Sequence, residues 1–139
     1  MIRAVLDTNV FVAAVLSRTG APARLVSALS EGLFDAVACP LLLSELEAVL
    51  SRPKIASRVT AETARGYLEW LSRVAVVEAD PAHIPRVCAD PGDDYVVALA
   101  LSGRAQVIVS GDAHLLDLPG AEPRVMTPAA FANLVESLR

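Results

Sequence analysis

Short apolar runs rich in valine and alanine alternate along this chain with longer segments that carry helix signals, and this alternation constrains the fold more than any other feature. Ile2–Leu6, Phe34–Ala38, Ala75–Glu78 and Gln106–Val109 are four or five residues long, contain β-branched members and read as strands. Phe11–Leu16 starts a helix that is interrupted near Thr19-Gly20-Ala21-Pro22, and Ala23–Ser30 continues as a helix that stops at Gly32. Pro40 suits the first turn of a helix carried by Leu41–Leu50 until Pro53. Thr60 with Glu62-Thr63 opens another helix to about Arg73, and Asp93 opens one that ends at Gly103. Arg124–Met126 reads as a short edge strand, after which Thr127-Pro128 caps a last helix to Leu138. Ala79–Gly92, with Pro81, Pro85 and Pro91, reads as loop with a helical turn around Ile84–Val87, and Leu115–Gly120 as a second loop. Strands joined by helices throughout predict a three-layer α/β/α sandwich with a mainly parallel central sheet, a Rossmann-like arrangement. Residues 1–139 read as one domain, without repeats or a linker.

The core must be aliphatic, because 54 % of residues are hydrophobic and only 4 % are aromatic. The mean hydropathy of +0.49 is high, yet the longest apolar runs, Val10–Leu16 and Val96–Leu101, are far too short to cross a bilayer. No signal-peptide pattern precedes Asp7, so the expectation is a soluble, cytoplasmic protein without membrane association. The apolar excess also fits a surface covered by a second subunit. Cys39 and Cys88 show no zinc-ligand spacing and are expected as free, buried thiols. A net charge of −4 argues against broad electrostatic capture of nucleic acid. It does not exclude a nuclease, since metal-binding acids make a chain acidic and bound cations restore positive charge locally.

Acids stand where strands or loops meet helices. Asp7 follows the first strand, Glu45 sits early in a helical segment, Asp93 and Asp94 open a helix, and Asp112 follows the late strand. In open parallel sheets, ligands bind outside the carboxyl ends of the strands where strand order reverses. Asp7 and Asp112 are placed there directly, and the Asp93-Asp94 helix begins at the same edge. Taken singly, each acid has an ordinary use as turn, helix cap or solvated residue. Clustered beside apolar runs, they would repel strongly, and divalent cations are the simplest remedy. Oxygen-only ligands favour Mg²⁺ or Mn²⁺, which points to metal-assisted phosphodiester chemistry.

The ordered set Leu6-Asp7-Thr8-Asn9, Ser44-Glu45-Leu46 with Arg52-Pro53-Lys54, Asp90-Pro91-Gly92-Asp93-Asp94, and Ser110-Gly111-Asp112 with Leu115-Leu116 resembles the PIN domain, the fold of VapC-type ribonuclease toxins. The resemblance covers almost the whole chain. It implies that Asp7, Glu45, Asp94 and Asp112 form a catalytic, metal-binding quartet, with Asp93 as a cap or auxiliary ligand. It also implies that Thr8 and Asn9 orient the first acid and the reacting phosphate, and that the Ser110 hydroxyl takes the place of the commoner threonine. His114 stands where an acid is often found. The function implied is an Mg²⁺- or Mn²⁺-dependent endoribonuclease, the toxin of a toxin–antitoxin pair, with RNA as substrate, an antitoxin as partner and a homodimeric state. The alternative is a non-catalytic PIN-like module that binds RNA or protein.

Outside this set, Arg52 and Lys54, with Arg58, are candidates for RNA phosphates, as are Arg18 and Arg24. His114 and His83 are weaker candidates for acid–base work. Tyr67 and Trp70 share a helix face that suits packing better than base stacking. A phosphoryl-transfer domain of the haloacid or receiver type fits poorly: position 9 is Asn, and Lys54 is the only lysine.

Overall fold

The computed structural model describes residues 1–82, 91–111 and 123–139, with residues 91–94 described through their backbone alone. The expected turn at Ile84–Val87, the loop Leu115–Gly120, and Asp90, Cys88, His83, His114 and Asp112 lie outside the described residues. Five strands form the sheet: β1 (Arg3–Leu6), β2 (Asp35–Ala38), β3 (Val76–Val77), β4 (Val107–Val109) and β5 (Arg124–Met126). Their order is β3-β2-β1-β4-β5, and every pairing is parallel. The sandwich is thus confirmed, with a sheet that is parallel throughout.

Among the described residues seven helices accompany it: α1 (Thr8–Leu16), α2 (Ala21–Ser30), α3 (Pro40–Leu50), α4 (Pro53–Ala56), α5 (Ala61–Val74), α6 (Pro91–Ser102) and α7 (Pro128–Glu136). Helices α7, α2, α1, α3 and α5 pack in that succession, whereas α6 packs on β1, β2 and β4. From β1 to β3 the chain steps outward across the sheet; it then returns to the other side of β1 as β4. Right-handed crossovers therefore put α6 on the face opposite the other helices. The reversal lies between β1 and β4, and this is the crevice that positions the site.

Small residues let the layers come close. Ala4, Ala36 and Ala38 on the strands and Ala98 and Ala100 on α6 are buried. At the end of α6, a Cβ on Gly103 would stand 2.7 Å from Cγ1 of Val37 on β2, so only glycine permits this approach. Phe34 and Phe131 meet edge-to-face with ring centroids 5.1 Å apart, joining the sheet edge to α7. Each buried Leu or Phe of this core contributes about 1.5–3 kcal/mol through removal from water.

Thr60 and Thr127 cap α5 and α7, each hydroxyl accepting the amide three residues on at 3.1 Å. Other boundaries differ from expectation. Helix α1 begins at Thr8, not Phe11, because the first-turn amides need no partner within the helix and polar residues can occupy them. Helix α6 begins at Pro91, whose missing N–H costs nothing in a first turn, so Asp93 is its third residue and not its cap. Pro53 likewise opens the one-turn helix α4 as well as ending α3. Strand β3 has only Val76 and Val77. Glu45 is the sixth of eleven residues in α3, so it sits mid-helix. Among the described residues no helix is long and apolar enough to cross a membrane.

Candidate active site

Register alone builds half of the site. Leu6 of β1 stands opposite Val109 of β4, so the next residues, Asp7 and Ser110, emerge side by side at the carboxyl ends of adjacent strands. The backbone fixes both: the Asp7 N–H donates to the Val109 carbonyl at 2.9 Å, and the Ser110 N–H donates to the Met126 carbonyl at 3.0 Å. Asp7 is only 7 % exposed and Ser110 fully buried. The Ser110 hydroxyl donates to Oδ2 of Asp7 at 3.0 Å. Asp7 occupies the N-cap position of α1, but its carboxylate makes no capping bond; it turns instead toward β4. A buried carboxylate needs this kind of support.

The other half comes from helices. Thr8 is buried, and its hydroxyl stands 3.4 Å from that of Tyr95 on α6. Burial pushes the Tyr95 hydroxyl well above the usual tyrosine range; the contact with Thr8 opposes this, and the neighbouring carboxylates of Glu45 and Asp7 act in the same direction as burial. Tyr95 therefore sits within electrostatic reach of both carboxylates and stays protonated. Asp7, Thr8, Glu45, Tyr95 and Ser110 thus converge at one sheet edge, drawn from β1, α1, α3, α6 and the end of β4.

Tyr95 was not among the residues singled out in the sequence. The available signal was its place directly after the Asp93-Asp94 pair, in a helix otherwise made of small and aliphatic residues. The backbone of Asp93 and Asp94 lies in the first turn of α6. Among the described residues no group of three or more His, Cys, Asp or Glu side chains gathers as a metal cluster; the Asp93 and Asp94 side chains and all of Asp112 are outside that set. Asp7 and Glu45 provide carboxylate oxygens, and Thr8 and Ser110 provide hydroxyls beside them. This all-oxygen set fits a hard divalent cation and suits zinc or copper poorly.

Asn9 is exposed and lines a groove of about 490 Å³ with Val12, Val49, Arg52, Pro53, Lys54 and Ile55. The remaining basic candidates separate. Arg58 donates to the Leu16 carbonyl at 3.2 Å. Arg24 clamps α2 to α7: its guanidinium pairs with Glu136 and donates to Asn133 Oδ1 at 2.7 Å. The pairing lowers the Glu136 pKa and raises that of Arg24. Arg18 is exposed. Tyr67 and Trp70 stack on each other with centroids 5.9 Å apart, and the Tyr67 hydroxyl donates to the Phe11 carbonyl at 2.9 Å. That pair is a packing strut between α5 and α1. Cys39 is a buried free thiol, its pKa raised by burial.

An open, all-parallel α/β domain with buried acid at its switch point is a ligand-binding class of fold. The sequence pattern of the PIN domain matches residues 3–114, and the chain belongs to the PIN domain family. A Methanocaldococcus jannaschii protein named "Uncharacterized protein MJ1680" is 28 % identical over 118 residues, covering 84 % of this chain and 75 % of its own length. Among solved structures, a chain in the crystal structure of VapBC2 from Rickettsia felis bound to a DNA fragment from their promoter has the same fold. It superposes with a TM-score of 0.62 at 14 % identity, over 91 % of this chain and 98 % of its own.

Proposed function

We propose that this chain is an endoribonuclease that hydrolyses RNA phosphodiester bonds with Mg²⁺ or Mn²⁺, and that it acts as the toxin of a type II toxin–antitoxin pair. The observation that carries the chemistry is the convergence of buried Asp7 with Glu45, around the hydroxyls of Ser110, Thr8 and Tyr95, at the switch point of a PIN domain. Asp94 and Asp112 complete the proposed quartet, with Asp93 auxiliary. A divalent cation bound by these acids supplies Lewis acidity, activating water and neutralising charge at the phosphate.

The residues do the positioning. Ser110 holds one oxygen of Asp7, so that carboxylate need not reorganise when the phosphate arrives, and Glu45 lies within electrostatic reach of the Tyr95 hydroxyl. In the reaction the water oxygen forms a new bond to phosphorus, the bond from phosphorus to the leaving ribose oxygen breaks, and that oxygen takes up a proton. Asn9, exposed on the first turn of α1, would donate its amide hydrogens to a phosphate oxygen. The toxin role is supported by the shared fold with a chain of a VapBC complex, and it brings a cognate antitoxin as protein partner. Homodimerisation and a cytoplasmic setting belong to the same proposal.

The test is cleavage of single-stranded and hairpin RNA by the purified protein in Mg²⁺, Mn²⁺ and EDTA, with Asp7→Asn, Glu45→Gln, Asp94→Asn and Asp112→Asn variants. Metal-dependent cleavage lost in the Asp7 and Asp94 variants, with folding retained by circular dichroism, is expected. Full activity in Asp7→Asn, or activity in EDTA, would overturn the mechanism. A wild-type protein that binds RNA and never cuts it would favour a non-catalytic PIN module.

A further inference from the structure

We propose that the groove between α1, α3 and α4 is a single-stranded RNA subsite that holds the nucleotide next to the one being cleaved. This inference rests on the nuclease reading above and gives that site a substrate path. The floor is aliphatic: Val12 is nearly buried, Val49 and Ile55 are half-buried, and Pro53 closes one wall. The rim is polar and basic, with Asn9, Arg52 and Lys54 all exposed. Its volume of about 490 Å³ falls within the roughly 300–1,000 Å³ of clefts that take small ligands.

Two features commit the groove to a nucleotide. The first is continuity with the acids. Asn9 is two residues beyond Asp7, Val12 is four beyond Thr8, and Val49 is four beyond Glu45. Positions four apart share a helix face about 5–6 Å from each other, so the groove opens one helical turn from Thr8, the residue after Asp7, on α1 and one turn from Glu45 on α3.

The second is charge. Arg52 and Lys54 bring two cations to one rim of a chain whose net charge is −4, and neither forms a salt bridge among the described residues. Arg24 and Arg139, by contrast, are engaged by Glu136 and Glu31. A cationic rim over an apolar floor offers a phosphate its counter-charge and a base a dry surface. Having only Asn9 as a polar side chain able both to donate and to accept there, the groove would tolerate several bases.

The experiment measures binding apart from cleavage. An end-labelled single-stranded oligoribonucleotide is titrated by fluorescence anisotropy into Asp7→Asn protein in Mg²⁺ between about 50 and 200 mM salt. Arg52→Ala and Lys54→Ala in that background are each expected to weaken binding about 3–10-fold. Each should also lower the slope of log K against log salt by about 0.7, the value for one lost phosphate contact on a single strand. Arg139→Ala removes the same charge on the α2–α7 side and is expected to change neither.

Equal weakening by Arg139→Ala would show bulk charge alone and overturn the subsite. Unchanged affinity and slope in the Arg52 and Lys54 variants would also overturn it, leaving the groove to a protein partner. If the unmutated protein fails to cleave RNA while binding still depends on Arg52 and Lys54, the nuclease reading falls, and the subsite with it as a neighbour of a cleaved nucleotide, leaving a groove that binds single-stranded RNA. Normal cleavage with groove variants that bind normally sinks only the subsite.

Discussion

Replacing Tyr95 with phenylalanine removes one oxygen from the centre of the acidic pocket and leaves the ring in place. Tyr95 is 6 % exposed and Thr8 is 1 % exposed, so neither hydroxyl can turn to bulk water without movement of α1 or α6. The Thr8–Tyr95 contact, at 3.4 Å, is longer than the 2.5–3.0 Å usual for hydroxyl pairs and contributes about 0.5 kcal/mol. The Tyr95 hydroxyl also lies within electrostatic reach of the Glu45 carboxylate, an interaction whose ceiling is the roughly 1.5–3 kcal/mol of a full hydrogen bond to a charged group. Glu45 is half-buried and can recruit water when Tyr95 is gone, which places the loss at or below the lower end. The expected destabilisation is therefore about 1–2 kcal/mol, a Tm decrease of roughly 3–10 °C for a chain of this size.

Tyr95→Ala also opens a cavity and should cost about 3–5 kcal/mol, so the two variants separate loss of the hydroxyl from loss of packing. Under the proposed function, Tyr95→Phe frees Glu45 to rotate, and the divalent cation concentration for half-maximal RNA cleavage should rise about 10-fold or more, as for other groups that orient metal-binding carboxylates. Saturating cation should restore most of the rate. Thermal melts by circular dichroism and cleavage titrated against Mn²⁺ read both effects. A Tyr95→Phe protein with unchanged Tm and unchanged Mn²⁺ dependence would refute the claim that this hydroxyl holds the pocket together.

Three further outcomes are expected. Gly103→Ala forces a methyl group against Val37 and should cost about 1–3 kcal/mol in urea unfolding; a cost near zero would mean that α6 slides freely on β2. Arg104 closes α6 with a φ of 56°, the Arg104 and Ala105 amides donating to the Leu101 and Ala100 carbonyls, whereas the same closure of α2 uses Gly32 at φ 76°. Arg104→Gly should therefore raise stability by about 0.5–1 kcal/mol, the left-handed penalty less the entropy of a flexible glycine, and a lower Tm would contradict this. Burial holds both tyrosines of the chain, Tyr67 and Tyr95, above the usual range. The folded state keeps its phenolic protons where the unfolded chain loses them, so their contribution is intact below about pH 10 and declines as pH rises beyond it. Phenolate absorbance should then appear only with unfolding, and a gradual, non-cooperative rise near pH 10 would show that the tyrosines are accessible.

The parts of this molecule that were legible in the sequence are those fixed by local chemistry. An apolar run of four or five residues ending in Asp7 or Ser110 declares both a strand and its carboxyl end, and Thr60 and Thr127 declare helix starts through their own hydroxyls. Pairing of β1 with β4 is less local. It depends on the chain returning past β1 after β3, a decision made by the packing of α6 against the sheet. Glu45 illustrates the limit: without the Ser44-Glu45-Leu46 pattern it reads like the exposed Glu47 of the same helix, and only the folded chain brings it within electrostatic reach of Tyr95. Tyr95 itself was overlooked because a lone aromatic in an aliphatic helix is ordinarily core, and only its hydroxyl, facing Thr8 and Glu45, makes it part of the site. The one-turn helix α4 was hidden because Pro53 signals the end of α3 as strongly as it signals a new first turn.

The two halves of the pocket consequently differ in how firmly they are held. Asp7 and Ser110 are placed by consecutive backbone bonds of one sheet, so their 3.0 Å contact moves only if β1 and β4 part. Thr8 faces a phenol borne by α6, just beyond the first turn that carries Asp93 and Asp94, and Glu45 lies within electrostatic reach of that phenol. A change that shifts the start of α6 therefore moves the Tyr95 hydroxyl relative to Thr8 and to both carboxylates. Catalysis by a constellation of acids requires the members to be set within a fraction of an ångström before substrate binds. In this chain the bonds of the sheet help set the first acid, whereas the second lies on α3 within electrostatic reach of the Tyr95 hydroxyl.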